Sequence, residues 1–117
     1  MTIVEHHSQP WRDNRLGSRV QLIVDAAAGV TALALVNQVC EPGVGAPSHT
    51  HEFEEIVTVV EGSAEVWVAG QRQVIGPGTS VFVRPGAVHG FRNVGDEPLR
   101  VQAVIASTEL RATYVGS

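Results

Sequence analysis

Short runs in which apolar and polar residues alternate recur along the chain, and Gly, Pro, Asn and Asp separate them. Valine dominates these runs, and its branched Cβ favours extended backbone and packs well on a pleated sheet. Many short strands at a spacing of about 8–12 residues are typical of an all-β sandwich or barrel. The pattern predicts strands near residues 19–25, 31–40, 53–60, 64–69, 72–75, 79–83, 89–94 and 99–106.

Helical signal is confined to one short run. The segment 26–28 is three alanines, but Gly29 ends it, so we predict a turn there. Roughly the first dozen residues and the last ten look like arms, which could add an edge strand, reach a partner subunit or be mobile. We therefore expect a single domain over residues 1–117, with a barrel core near 19–106.

A histidine-rich segment leads into the third predicted strand. His49, His51 and Glu55 are two and four positions apart, and residues at that spacing point to one face of an extended strand. A helix would place His49 and His51 on nearly opposite sides. One extended stretch would therefore project two imidazoles and a carboxylate into the same space.

Two glycine-bounded segments carry further spacing information. Residues 43–62 read G(X)5HXH(X)3E(X)6G without a mismatch. Residues 78–93 read G(X)5PXG(X)2H(X)3N, except that Arg84 stands where the first Pro is expected. A spacer of 15 residues separates the two segments. These are the two cupin motifs, present in order, so the chain resembles a small single-domain member of the cupin superfamily.

The cupin resemblance implies an all-β fold, a jelly-roll β-barrel or double-stranded β-helix of six or more antiparallel strands. It also implies one metal ion per chain, held by four ligands: His49, His51, Glu55 and His89. Three imidazoles and a carboxylate suit a divalent first-row ion, namely Fe(II), Mn, Ni, Zn, Cu or Co. Four protein ligands would leave about two positions of an octahedral ion open for water, O2 or a substrate, whereas a structural zinc site is normally closed.

Further residues are candidates for contact with a substrate. Phe53 and Phe91 share the strand parity of the ligands and could line a pocket or belong to the core. Arg84, in the turn before the last ligand, could place a guanidinium near the barrel mouth and bind an anion. Gln38 lies on a strand that could reach the interior. Glu55 could remain a ligand, or leave the metal and act as a base.

Composition narrows the classes of function. The chain has no Lys, which excludes a pyridoxal phosphate enzyme and a P-loop NTPase. The net charge is −4 and the eight basic residues, all Arg, are scattered, so we expect no nucleic-acid partner. Short apolar runs predict no membrane-spanning helix. The absence of a signal-peptide pattern and the single cysteine, which cannot form an internal disulfide, suit a cytoplasmic protein.

Two functions from different classes are compatible with this resemblance. The first is a small metal-dependent enzyme, a dioxygenase, an isomerase or a lyase or cyclase, whose metal chelates a small oxygen-bearing organic substrate. The second is a non-catalytic cupin that binds or senses a sugar or another small molecule. Apolar residues on both faces of the predicted strands indicate a covered sheet, and small cupins are commonly dimers, so we expect a homodimer.

Overall fold

Strands account for nearly all the regular structure of the computed structural model, which describes residues 1–116. Within those residues the strands are β1 (Trp11–Arg15), β2 (Ser18–Val24), β3 (Ala34–Cys40), β4 (Gly45–Thr50), β5 (Glu55–Glu61), β6 (Ala64–Val68), β7 (Gln71–Ile75), β8 (Thr79–Val83), β9 (His89–Asn93), β10 (Leu99–Ile105) and β11 (Thr113–Tyr114). Over the described part of the chain, helical structure is limited to two 3-10 turns, at His6–Ser8 and Ala26–Ala28. Over residues 1–116 there is no helix with the length and apolar character needed to cross a bilayer.

The strands form two antiparallel sheets that face each other. One sheet has the order β1-β2-β3-β10-β5-β8 and the other has the order β11-β4-β9-β6-β7. The core lies between them, because it combines β5 residues such as Val59 of the first sheet with β6 and β9 residues such as Val66 and Phe91 of the second. The expected all-β jelly-roll architecture is confirmed.

Alternation along single strands follows the pattern that the sequence indicates. In β5, Glu55, Val57 and Val59 are buried, whereas Ile56 and Val60 are exposed on the outer face. This two-residue period is the pleat of a β-strand with one face turned toward a core. The inward face of β5 therefore carries Glu55 together with apolar neighbours, as the strand parity predicts.

The arms add an edge strand to each sheet. In the N-terminal arm, β1 pairs with β2 at the edge of the first sheet, and in the C-terminal arm, β11 pairs with β4 at the edge of the second. The arms were expected to add an edge strand, reach a partner subunit or be mobile, and the structure shows that each adds an edge strand. Through this pairing, each arm brings side chains to the space between the sheets.

Strand β4 was absent from the predicted strands because its sequence, GAPSHT, has little β-propensity. Pairing with β9 holds it in place, with Gly45 opposite Arg92 and His49 opposite His89. The two backbones approach so closely at Gly45 that a Cβ there would lie 2.8 Å from the Cα of Arg92. Any Cβ at this position would clash with the backbone of β9, so only glycine, which has no side chain, fits here.

Asn93, the last residue of the second motif, fastens the end of β9. Its side chain is fully buried, and its Nδ2 donates hydrogen bonds to the carbonyl oxygens of Cys40 (3.1 Å) and Glu97 (2.8 Å). Its Oδ1 accepts a hydrogen bond from the backbone N–H of Gly95 at 2.8 Å. A buried amide with its donors and its acceptor satisfied stabilises the turn after β9, so Asn93 has a structural role.

Candidate metal centre

Four side chains converge between the two sheets. His49 on β4 lies directly opposite His89 on β9, His51 follows the end of β4, and Glu55 begins β5. One ligand atom from each residue lies within 4.8 Å of the others. The structure therefore brings together the set His49, His51, Glu55 and His89, and this cluster could bind a metal ion.

The route by which the chain assembles this cluster differs from the sequence-based explanation. We expected one extended stretch to carry His49, His51 and Glu55 on one face, and that expectation is wrong. The chain leaves the second sheet after Thr50 and enters the first sheet at Glu55. The ligands converge because the inner faces of two opposed sheets meet, so Glu55 approaches the histidines from across the barrel.

Backbone carbonyls fix the orientation of all three imidazoles. A carbonyl oxygen can only accept a hydrogen bond, so the ring nitrogen that contacts it must be protonated. The three contacts all involve Nδ1, and the acceptors are the carbonyl of Pro47 for His49 (2.7 Å), that of Ala87 for His89 (2.9 Å) and that of Arg111 for His51. With the proton held on Nδ1, Nε2 is the nitrogen of each ring that is directed toward the cluster and would ligate a metal, which is the usual role of such outer hydrogen bonds.

Burial and neighbouring groups shift the pKa values of His49 and His89 in opposite directions. All four residues are buried, with exposed fractions of 4–7%. Burial, aided by the neighbouring His89 and His51, lowers the pKa of His49 to about 4, so His49 is neutral near pH 7. Burial also lowers the pKa of His89, but the hydrogen bond from its Nε2 to Glu55 Oε1 (2.9 Å) and the charge of that carboxylate raise it more, so it lies above its ordinary value.

The donor set fits a divalent first-row ion. Three inward Nε2 atoms and one carboxylate form a borderline nitrogen–oxygen set of the kind that such ions prefer. Glu55 Oε1 lies 2.9 Å from His89 Nε2, a hydrogen bond in which the imidazole donates, and 3.6 Å from His51 Nε2. A cation bound among these atoms would replace the proton that His89 Nε2 donates to Glu55 and would neutralise the buried carboxylate. The identity of the ion is not determined by these residues.

A cavity of about 300 Å³ adjoins the four candidate ligands. Its apolar wall includes Val57, Phe91 and Leu110, and its polar lining includes Gln38 and Arg15. A structural metal site would be enclosed by its ligands, whereas this one faces a space that a small molecule can enter. The arrangement can therefore hold an ion and a small organic ligand side by side.

The substrate residues predicted from the sequence have different places. Phe91 and Gln38 line the cavity, and their contact with a substrate stays a prediction. Phe53 lies outside the cavity lining and stacks on the ring of His51, with ring centroids 4.6 Å apart and planes inclined by 19°. Arg84 is exposed and also lies outside the cavity, with its guanidinium 5.5 Å from the ring centroid of Phe82.

Sequence reasoning missed the contributions of the two arms. Arg15 from β1, and Leu110 and Tyr114 from the C-terminal arm, all line the cavity. Tyr114 lies directly opposite His49 in the β11–β4 pairing, and the centroids of the two rings are 5.6 Å apart. Strand β11 has only two residues, so no alternating pattern could mark it.

Comparison with known proteins supports this architecture. Polyketide synthase CurC from Streptomyces cyaneus is 35% identical over 79 residues, which are 67% of this chain and 49% of CurC. The chain thus spans about half the length of that curated relative. The structure of the polyketide cyclase RemF from Streptomyces resistomycificus superimposes with a TM-score of 0.85 at 23% identity, covering 100% of this chain and 87% of RemF. At that identity the likeness shows the fold alone.

A cupin 2 domain-containing protein from Halorhodospira halophila is also similar, with a TM-score of 0.77 and 28% identity over 91% of this chain and 75% of that protein. The family model described as a cupin domain matches residues 37–105, which is more than half of the chain. The matched segment contains all four candidate metal ligands, on the two sheets described above. The chain therefore belongs to the cupin domain family.

Proposed function

We propose that this cupin is a metal-dependent enzyme of the cyclase type, which acts on a small oxygen-rich substrate such as a linear poly-β-ketone. One observation carries the proposal: three imidazoles, oriented from outside by backbone carbonyls, and one carboxylate border a cavity of about 300 Å³. Preorganised ligands beside a space for an organic molecule are what a metal-dependent enzyme requires.

A divalent ion at this centre would supply Lewis-acid polarisation of a substrate carbonyl. The side chains around it have separate tasks. The apolar wall of Val57 and Phe91 keeps water away from one side of a bound substrate, which strengthens electrostatic interactions there. Glu55, the carboxylate of the candidate ligand set, is also the candidate base for a proton on the carbon between two carbonyls, a role that it would take by leaving the metal.

Substrate class is inferred from chemistry and from the relatives. A poly-β-ketone has oxygens in 1,3 positions, which suit two neighbouring open positions on a metal. The chain contains no Lys, so it cannot activate a ketone as an imine, and metal polarisation is the remaining strong electrophilic activation. The names of CurC and RemF, a polyketide synthase and a polyketide cyclase, favour this substrate over the other small molecules that cupins could take.

The proposal is tested by metal analysis followed by turnover. Protein purified from its native host should contain about one divalent ion per chain. Incubated with a synthetic linear poly-β-ketone, the wild-type protein should form a cyclic product that has lost one water, with no O2 consumed. The His51→Ala variant should not raise the rate of this cyclisation above the rate without protein. Uptake of O2 with two oxygen atoms in the product would instead identify a dioxygenase. Binding without any product would indicate the non-catalytic alternative, a small-molecule or sugar sensor.

We also propose that the chain forms a homodimer through the outer face of its six-stranded sheet. Ile56, Phe82 and Val104 are 41–48% exposed and form a continuous row, because Ile56 lies opposite both of the others on neighbouring strands. A continuous apolar row on a sheet surface is typical of an association surface. A second copy of this chain would bury the same row on both subunits, as a two-fold interface requires.

Placing an arginine in this row should produce a monomer. Ile56→Arg places a charge in the interface with no opposite charge to pair with it, so burying it in a dimer is unfavourable. Sedimentation velocity at micromolar concentration should therefore show half the wild-type mass. Val74→Arg, at a position 58% exposed on the other sheet, serves as the control and should leave the dimer intact. A wild-type protein that sediments as a monomer would contradict the proposal.

A further inference from the structure

Arg15 lines the cavity beside the four candidate ligands, and an irregularity in β1 places it there. The pairing of β1 with β2 shifts register between Asp13 and Arg15, so Arg15 lies opposite Ser18. Ser18 is fully buried, and residues directly opposite each other in an antiparallel pair share a face. Without the extra residue, Asn14 would oppose Ser18 and Arg15 would point outward. A bulge that redirects one side chain is a recurrent feature next to binding sites.

The guanidinium of Arg15 is incompletely satisfied. The side chain is half-buried, and no carboxylate of residues 1–116 lies within salt-bridge distance of it. Its Nε is buried without a hydrogen-bond partner in this part of the chain, and its Nη2 donates to Tyr114 Oη at 2.7 Å. A buried N–H donor without a partner is costly, so Nε of Arg15 calls for an acceptor such as a water, an anion or a ligand.

Tyr114 holds this guanidinium from the opposite sheet. Arg15 is on the edge strand of one sheet and Tyr114 is on the edge strand of the other, so their hydrogen bond joins the two edges across the cavity. The Arg15 guanidinium carbon also lies 5.5 Å from the centroid of the Tyr114 ring. The position of the cation is therefore tied to β11, and through β11 to the neighbouring His49.

Charge points to the group that this arginine would bind. Among the described residues that line the cavity, Arg15 is the one Arg and Glu55 is the one carboxylate. A divalent ion would overcompensate the charge of Glu55, which would leave a cavity with net positive charge. A guanidinium is suited to oxyanions because its planar set of donors can bind two oxygens at once.

We infer that Arg15, positioned by Tyr114, recognises an oxyanion of the substrate, so that the natural substrate of this centre carries a carboxylate or an enolate oxygen beside its metal-binding oxygens. This inference rests on the proposed function, because it requires an ion at the four ligands. It adds a specificity residue that neither cupin motif contains. Tyr114 acts through Arg15 and is a positioning residue.

Ligand binding to cobalt-loaded protein tests the inference without any turnover. The probe is malonate, a small dianion, and its neutral diamide, malonamide, is the matched uncharged probe. Kd values come from calorimetry, and the visible absorption of Co(II) reports on the geometry of the centre. Arg15→Gln should raise the Kd for malonate by about ten- to a hundredfold, the effect of losing a charged hydrogen bond, and should leave the Kd for malonamide and for Co(II) unchanged.

Two further variants separate recognition from structure. Tyr114→Phe should raise the Kd for malonate severalfold, again without a change for malonamide. Arg100→Gln removes the same charge from a half-exposed arginine that lies 3.5 Å from Glu61, and malonate binding should be unaffected.

Wild-type affinity for malonate in Arg15→Gln would overturn the inference and leave the proposed function standing. An equal loss for malonate and malonamide would overturn it as well, because that result would indicate a structural role. A wild-type protein that binds cobalt but no malonate also contradicts it. Failure of the wild-type protein to bind cobalt would overturn the proposed function and the inference together.

Discussion

Replacing His51 with Ala is expected to remove bound metal from this cupin. The substitution deletes one of three Nε2 ligands and also the Nδ1 hydrogen bond to the Arg111 carbonyl, which links the centre to the C-terminal arm. Loss of an outer hydrogen-bond partner alone typically lowers metal affinity by about 10- to 100-fold. Loss of the ligand itself should exceed the upper end of that range, so the purified variant should contain almost no metal by plasma mass spectrometry.

Matched histidine variants make the result specific. His7 is exposed on the N-terminal 3-10 turn, with 81% of its side chain accessible, so His7→Ala should retain the wild-type metal content. His89→Gln, which removes the ligand hydrogen-bonded to Glu55, should lose metal as His51→Ala does. Circular dichroism would establish that the variants are folded. Unchanged metal stoichiometry in folded His51→Ala would refute the ligand assignment.

The second large effect is expected at the crossing of β4 and β9. A Cβ at Gly45 would lie 2.7 Å from the carbonyl carbon of Phe91 and 2.8 Å from the Cα of Arg92, well inside van der Waals contact. Both neighbours are backbone atoms of a paired strand, so no side-chain rotation relieves the clash. Gly45→Ala should therefore lower the free energy of unfolding by about 3 kcal/mol, at the upper end of the usual cost of overpacking.

Denaturant unfolding of the metal-free protein measures this cost without a contribution from metal binding. Gly76→Ala is the control, because no atom lies within 4 Å of a Cβ built there and its backbone does not have a positive φ. That variant should change stability by less than about 0.5 kcal/mol. A further consequence follows from register: β4 carries His49 opposite His89, so separation of the strands should also weaken metal binding in Gly45→Ala. Equal stability of the two alanine variants would show that β4 and β9 do not cross this closely.

Strands that carry their own alternating pattern were predictable from the sequence. The prediction near 79–83 coincides with β8, and the prediction near 53–60 differs from β5 by two residues at its start. Strands without that pattern were missed. In β4, Gly, Pro and Ser obscure it, and β1 and β11 lie in segments interpreted as arms. Such strands form because a partner strand supplies hydrogen bonds, and the identity of that partner is not encoded locally.

For the candidate site too, one part was predictable from the sequence and another was not. The metal ligands were predictable because their spacing falls within two short motifs. The reason why these ligands converge was not predictable. Strand parity holds only within one strand, and the chain passes from one sheet to the other between Thr50 and Glu55. Arg84 illustrates the converse case: it is close to His89 in sequence, yet its side chain lies over Phe82 on the exposed surface.

By itself the sequence determined the all-β class, the cupin family resemblance and the identity of the four candidate ligands, because alternation and motif spacing are local properties of the chain. Only the tertiary structure decided that Glu55 faces the histidines from the opposite sheet, and that Arg15 and Tyr114 meet at the cavity. Their hydrogen bond joins residues 99 positions apart and depends on a bulge in β1 and on a strand of two residues. Such a contact requires both sheets to be packed together, because Arg15 and Tyr114 lie on edge strands of different sheets.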